Sequence, residues 1–339
     1  MSGRAFEKTI NANEKKIVTK IPKKEELPVV FEKEELDKNI KRRLWWLNIM
    51  MFLFHTSFVA VTLVLGKINL YVPIYKISLT PNGTMSLLQN YSMYTVSEAN
   101  EQFPNWEDQV NEFLNVSTEK QNFSLPMTWL VATFFLLSAF FHFGNAVFWW
   151  KYYISYMEEQ QSPFRWMEYT LSAAVMILIV SYGAGVRIDV ELFMLFVLIA
   201  TTMFFGHLTE VINKKSKTAD EWTLSLGQRL TPHLMGYLPQ ISAWVVIVYT
   251  FMSNSGDAPD FVAAIIWTEL ALFFSFGFVQ LVVILRPPSK YVQGEVAYQV
   301  LSLVSKGLLG VIMMVNVIFL GSWTCIVDEI KDRLPSDYC

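Results

Sequence analysis

The 339 residues are 53% hydrophobic and 15% aromatic, only 17% are charged, and several long stretches carry no charge at all. A soluble domain of this size does not tolerate that distribution, so the chain belongs in a membrane. The formal net charge of −3 hides a strong segregation of charge along the chain; it argues neither for nor against nucleic acid, and no such partner is expected.

The first 43 residues hold 12 basic and 8 acidic side chains and few aromatics. They read as a mostly disordered cytoplasmic arm, acting either as a solvated topology signal or as a docking peptide. They do not form the short basic stretch and compact apolar core of a cleavable signal, so the first apolar segment is expected to stay as an anchor. A bilayer core of about 30 Å needs about 20 mainly apolar residues per helix. Seven segments qualify: 44–65, 127–150, 166–186, 192–212, 234–252, 261–285 and 296–323. The fold class is therefore an all-α, seven-helix membrane bundle over 44–323, with an extracellular tail at 324–339.

An odd number of spans puts the termini on opposite sides. With the N-terminus inside, the cytoplasmic segments hold twenty Lys/Arg against six outside, and Lys41-Arg42-Arg43 directly precedes the first span. The excess of inner basic residues sets the orientation: N-terminus cytoplasmic, C-terminus extracellular or lumenal. The only long connection, 66–126, contains four Asn-x-Ser/Thr sequons at Asn82, Asn90, Asn115 and Asn122. Such acceptors mark an outward-facing, glycosylatable loop. The alternation in Ile74-Tyr75-Lys76-Ile77-Ser78-Leu79 before Pro81-Asn82-Gly83 predicts a strand entering a turn, so the loop is partly β. At the C-terminus, Cys325 and Cys339 either pair or stay free, and they define no metal site.

A lysine at the centre of a membrane helix costs at least about 2.5 kcal/mol, so Lys306 in the last span needs a reason. A buried amine is suited to forming a Schiff base with an aldehyde, and the resulting buried cation needs an anionic partner. A lysine held by a carboxylate for packing alone is the structural alternative. The candidate partners are Glu168 and Glu269. Depth arithmetic favours Glu269, which lies about 12 Å inside the outer face and near the level of the lysine at 1.5 Å per residue. Ser302 is one turn before Lys306 on the same face, able to bond the imine or its own helix backbone. His55, His142 and His207 are unusual in segments this apolar. The first two are candidate proton acceptors, His207 is by default structural, and no spacing among them suits a metal. The aromatic run Phe273-Phe274-Ser275-Phe276-Gly277-Phe278 forms either the walls of a polyene pocket or an ordinary packing face. Nothing resembles a phosphate loop, a nucleophile elbow or a hydrolase triad, so no enzymatic activity is expected.

Two segments carry a resemblance: Ser162-x-x-Arg165-Trp166-x-Glu168-Tyr169-x-x-Ser172-Ala173 and Tyr298-x-x-Leu301-Ser302-x-x-x-Lys306-x-x-Leu309. With Arg42-Arg43-Leu44, Leu47-Asn48, His55 and Phe141-His142, they make the chain similar to the heliorhodopsins, retinal proteins of inverted membrane orientation. The resemblance spans all seven segments. It implies that Lys306 carries all-trans retinal, that Glu168 rather than Glu269 is the counterion, and that the third helix starts ahead of Ser162-Pro163. Ser302 takes the place of a second aspartate found in many pumps, Tyr169, Ser172 and Phe276 become pocket candidates, and His55 and His142 match a cytoplasmic-side polar cavity. It further implies a homodimer with the outer loop contributing strand structure. The sequons, the long loop and the extended arm depart from the family pattern.

The expected function is a photoreceptor with a slow conformational output to a cytoplasmic signalling partner, not an efficient pump. The alternatives are a light-gated passive proton channel using Glu269, as some viral members are thought to permit, and a non-retinal seven-helix receptor or scaffold.

Overall fold

The computed structural model describes residues 35–79, 116–213, 224–254, 256 and 258–319. Most of the N-terminal arm, the sequons Asn82, Asn90 and Asn115, and the tail with Cys325 and Cys339 lie outside the described residues, as does the side chain of Asn122.

Among the described residues, seven helices are long and apolar enough to cross a membrane. They are built on α1 (Lys38–Leu65), α2 (Met127–Phe143), α4 (Pro163–Ala184), α5 (Asp189–Ile212), α6 (Leu226–Asn254), α7 (Asp260–Leu285) and α8 (Tyr291–Met313), with a short α3 (Trp150–Glu158) after α2; the second span runs on to Phe148 and the seventh to Ile318. The most apolar windows of α2 and α4 are 61% buried, against 22% for α1 and α7, so α2 and α4 form the interior of the bundle. Val64, Phe193 and Leu238 are 78%, 66% and 74% exposed on the outer faces. A water-soluble protein would cover such faces, whereas a bilayer solvates them. The end at which α1 begins is here termed the near end.

Several helices outrun their apolar segments at the near end, because polar first turns lower hydropathy without opposing helix formation. α1 begins at Lys38, where the Asp37 side chain accepts from the Asn39 amide at 3.3 Å. Lys41 then pairs with Glu158 of α3 at 2.8 Å. α6 starts at Leu226 despite Pro232 and Pro239, and α8 starts at Tyr291. α4 starts at Pro163, with Ser162 as its N-cap. Proline is pre-organised for the first helical turn, which explains a start later than the one ahead of Ser162-Pro163 that the resemblance implied. α4 ends at Gly185, whose φ of 107° suits a left-handed C-cap.

α2 continues as a π-helical turn at Gly144–Phe148, and the following stretch is helical rather than a plain connection. α8 likewise passes into a π-helical turn at Met314–Phe319.

At the far end, β1 (Tyr71–Leu79) and β2 (Val116–Pro126) form an antiparallel ladder from Tyr71↔Pro126 to Leu79↔Val116, with an irregularity between Pro73 and Tyr75. The ladder is tied to the bundle where the Tyr75 amide donates to the Arg187 carbonyl at 2.9 Å and the Tyr182 hydroxyl donates to the Pro73 carbonyl at 3.1 Å. Arg187 stacks over the Tyr182 ring at 3.7 Å.

Glycines let helices close at the near half. A Cβ on Gly206 of α5 would run into the Trp166 ring of α4. Gly206→Ala is therefore expected to overpack the α4–α5 contact and cost about 1–3 kcal/mol, read as a lower thermal midpoint in detergent; an unchanged midpoint would show that Trp166 moves freely.

Candidate functional site

The middle of the bundle buries an ion pair. Lys306 of α8 donates from Nζ to Glu168 Oε1 of α4 and to Ser138 Oγ of α2, each at 2.6 Å. Lysine, glutamate and serine are 3%, 2% and 0% exposed, so neither charge is solvated and each depends on the other. The lysine Nζ also lies 5.2 Å from the centroid of the Tyr169 ring. Helical spacing accounts for the convergence: Glu168 and Tyr169 project from the second turn of α4, and Ser302, Ser305 and Lys306 share one stripe of α8.

From the lysine extends a cavity of about 340 Å³ lined by Tyr169, Ser172, Met176, Phe273, Phe276 and Ser302, among others. Its walls are aromatic and thioether groups with a few hydroxyls, the lining typical of a site for an elongated apolar ligand. The amine belongs to this lining and has a carboxylate in reach. A ligand with an aldehyde terminus and an apolar body fits this arrangement, and retinal is such a ligand.

Glu269 of α7 also reaches this level, as depth arithmetic required, but it meets a different partner. Its Oε2 accepts from Ser305 Oγ at 2.7 Å, while its Oε1 is fully buried without a hydrogen-bond partner. The lysine contacts Glu168 instead.

Toward the near end, His142 Nε2 lies 3.9 Å from Glu168 Oε2, and His142 Nδ1 is 2.9 Å from Asn48 Oδ1 of α1. The His55 ring stacks on His142 with centroids 5.6 Å apart and an interplanar angle of 12°. Both His55 ring nitrogens are buried without a partner. The Asn145 amide reaches Asn48 Oδ1 at 3.5 Å, and Trp149 Nε1 donates to Asn145 Oδ1 at 2.8 Å, linking this chain to the π-helical turn of α2. His207, on α5, has an interaction partner of its own.

A second buried charge cluster lies one turn closer to the near end. Arg165 forms ion pairs with Glu210 of α5 and Glu295 of α8, and its guanidinium stacks over the Tyr298 ring at 4.1 Å. Glu210 accepts from the Ser162 amide at 2.9 Å, and Glu295 accepts from Tyr153 of α3 at 3.2 Å and Gln299 at 3.1 Å. Burial pushes the Tyr153 hydroxyl up to about 12, so it remains a donor. The Tyr169 hydroxyl donates to the Tyr298 carbonyl at 3.0 Å, connecting this cluster to the lysine site.

Sequence reasoning missed Ser138, Glu210 and Glu295. Ser138 carried a usable signal, since it stands four residues before His142 on the same face of an apolar helix. Glu210 and Glu295 sat at the edges of hydropathic segments, where acids pass for solvated ends.

No group of three or more His, Cys, Asp or Glu suited to a metal occurs among the described residues. A search of curated proteins finds no match to the chain. Among solved structures, one similar fold is a light-driven proton pump, LR (Mac), from Leptosphaeria maculans. It is 12% identical, covers 85% of this chain and 96% of its own, and has a TM-score of 0.48. The Heliorhodopsin family model matches residues 83–318, well over half of the chain and including six of the seven membrane-capable helices. The chain belongs to the heliorhodopsin family, and is thus a multi-pass integral membrane protein of the retinal photoreceptor type.

Proposed function

We propose that the protein is a photoreceptor in which Lys306 binds all-trans retinal as a protonated Schiff base, Glu168 is the counterion, and light is read out as a slow conformational change. The observation that carries this is the buried Lys306–Glu168 pair, whose lysine lines an aromatic-walled cavity. When bound there, retinal supplies visible absorption and a light-driven change of shape. The residues supply the rest. Glu168 neutralises the cation at Nζ, Ser138 fixes the position of that atom, and Tyr169, Met176, Phe273 and Phe276 exclude water and enclose the apolar body. Ser172 and Ser302 offer hydroxyls within the same walls.

A displacement at Lys306 acts on two connections toward the near end, His142–Asn48 and Tyr169–Tyr298–Arg165. Both run toward the side that the Lys/Arg distribution makes cytoplasmic. An efficient pump is not proposed, because directional transport needs a donor and acceptor switched in sequence around the lysine. Purified protein mixed with all-trans retinal is expected to gain a visible band whose photocycle returns slowly; absence of a band would favour a non-retinal receptor. The same orientation places the 66–126 loop outside, where Asn82, Asn90, Asn115 and Asn122 are glycosylated in a eukaryotic host, and the β1–β2 ladder serves a homodimer.

A second reading, passive proton conduction, is favoured by one observation: Glu269 is bonded to the residue next to Lys306 and keeps one buried oxygen unpartnered. If this carboxyl relays protons, illuminated cells carry a voltage-dependent current that Glu269→Gln reduces by roughly 100-fold, the low end of what a positioned proton-transfer group contributes. An illuminated membrane with no current in the unaltered protein rejects the channel.

A further inference from the structure

A second cavity, with an empty volume of about 400 Å³, lies between α4, α5, α6 and α7 and shares Met203, Phe273 and Phe276 with the cavity that begins at Lys306. Because these walls are shared, a chromophore attached to Lys306 that fills the first cavity borders the second. The first cavity holds the unpartnered hydroxyls of Ser172 and Ser302, whereas this one holds unpartnered N–H donors. Trp166 Nε1 and Gln240 Nε2 are buried without partners, and the two residues are 6% and 5% exposed. Each unsatisfied donor costs about 1–3 kcal/mol unless something polar meets it.

His233 adds the opposite function. Gln280 Nε2 donates to the Gly206 carbonyl at 2.8 Å, which turns Gln280 Oε1 toward His233 Nδ1 at 2.9 Å. That nitrogen then carries the proton, and in this tautomer Nε2 is left as an acceptor. The cavity wall thus presents unsatisfied N–H donors and an imidazole acceptor, but no acid and no lysine or arginine. A charged ligand has no counter-charge there. A hydroxyl group, which donates once and accepts, matches the set.

We propose that the ring end of the chromophore site is built to take a hydroxyl, so that the protein prefers a ring-hydroxylated retinal to the unsubstituted one. This rests on the retinal reading of Lys306. Gln240 and Trp166 donate to the hydroxyl oxygen, His233 Nε2 accepts its proton, and Phe273 and Phe276 hold the ring between the two cavities.

The test is competitive uptake by the full-length protein purified without chromophore. It is offered equal amounts of all-trans retinal and all-trans 3-hydroxyretinal, and the bound aldehydes are extracted and quantified by chromatography. The expected ratio favours the hydroxylated form on the order of threefold to tenfold, the size of one or two net neutral hydrogen bonds. In Gln240→Leu and, separately, in the near-isosteric Trp166→Phe, the ratio falls toward one. A ratio of one or below in the unaltered protein overturns the proposal and leaves water as the occupant of the cavity. A preference that survives in both variants and in His233→Phe overturns it as well. If neither aldehyde yields a visible band, the retinal reading of Lys306 fails, and this proposal fails with it; a band from both at equal occupancy rejects the hydroxyl subsite alone.

Discussion

Purified Lys306→Ala protein given all-trans retinal shows no visible absorption band, while the unaltered chain treated in the same way shows one. The substitution removes the only amine at the cavity among the described residues, and an aldehyde without an amine forms no coloured cation. The variant also leaves Glu168 buried without the lysine, with Ser138 and His142 beside it. Breaking a buried pair in this way costs about 3–5 kcal/mol, enough to threaten folding. The double variant Lys306→Ala/Glu168→Gln removes the stranded charge and is expected to fold better yet stay colourless. A folded Lys306→Ala protein that still gains the band would place the chromophore on another group and end the assignment.

How much of this site was legible in the sequence depended on what each residue costs in a membrane. Lys306 was conspicuous because an unpaired amine in an apolar helix has no ordinary reason to be there. The number of helices followed from length and hydropathy, and the first strand from the alternation over Ile74–Leu79, although the strand itself begins at Tyr71. The partner of the lysine was not legible from depth. Hydropathy placed the third span at 166, which left Glu168 near the surface, whereas α4 begins at Pro163 and the polar cluster of Arg165, Glu210 and Glu295 fills the turns beneath it. A buried charge cluster looks like a helix end in one dimension. Both carboxyls were candidates, and only the resemblance to the family favoured Glu168 over Glu269. The π-helical turn at Gly144–Phe148 and the helix after it left no hydropathic mark, since Trp149, Trp150, Tyr152 and Tyr153 mix aromatic and polar character. Ser138 was hidden for the opposite reason: a single serine in a membrane helix most often bonds its own backbone, and Ser138 indeed donates to the Phe134 carbonyl at 3.1 Å while accepting from the lysine.

The two intramembrane carboxyls near Lys306 make the counterion testable by direct comparison. Glu168→Gln keeps the size of the side chain and a hydrogen-bonding oxygen but removes the negative charge 2.6 Å from Nζ. The loss of that charge costs the buried cation about 3–5 kcal/mol, so the bound chromophore is expected to change colour strongly or to lose its visible band at neutral pH. Glu269→Gln removes a group that touches Ser305 rather than the lysine. If that carboxyl carries a proton in the resting protein, the exchange replaces one neutral hydrogen-bonding group with another, and the colour shifts little. Absorption spectra of the two variants at one pH decide the matter. A large change in Glu269→Gln with none in Glu168→Gln would mean that the lysine head turns toward α7 once the chromophore is attached. The depth argument would then have identified the working partner, and the pair with Glu168 would belong to the unliganded protein.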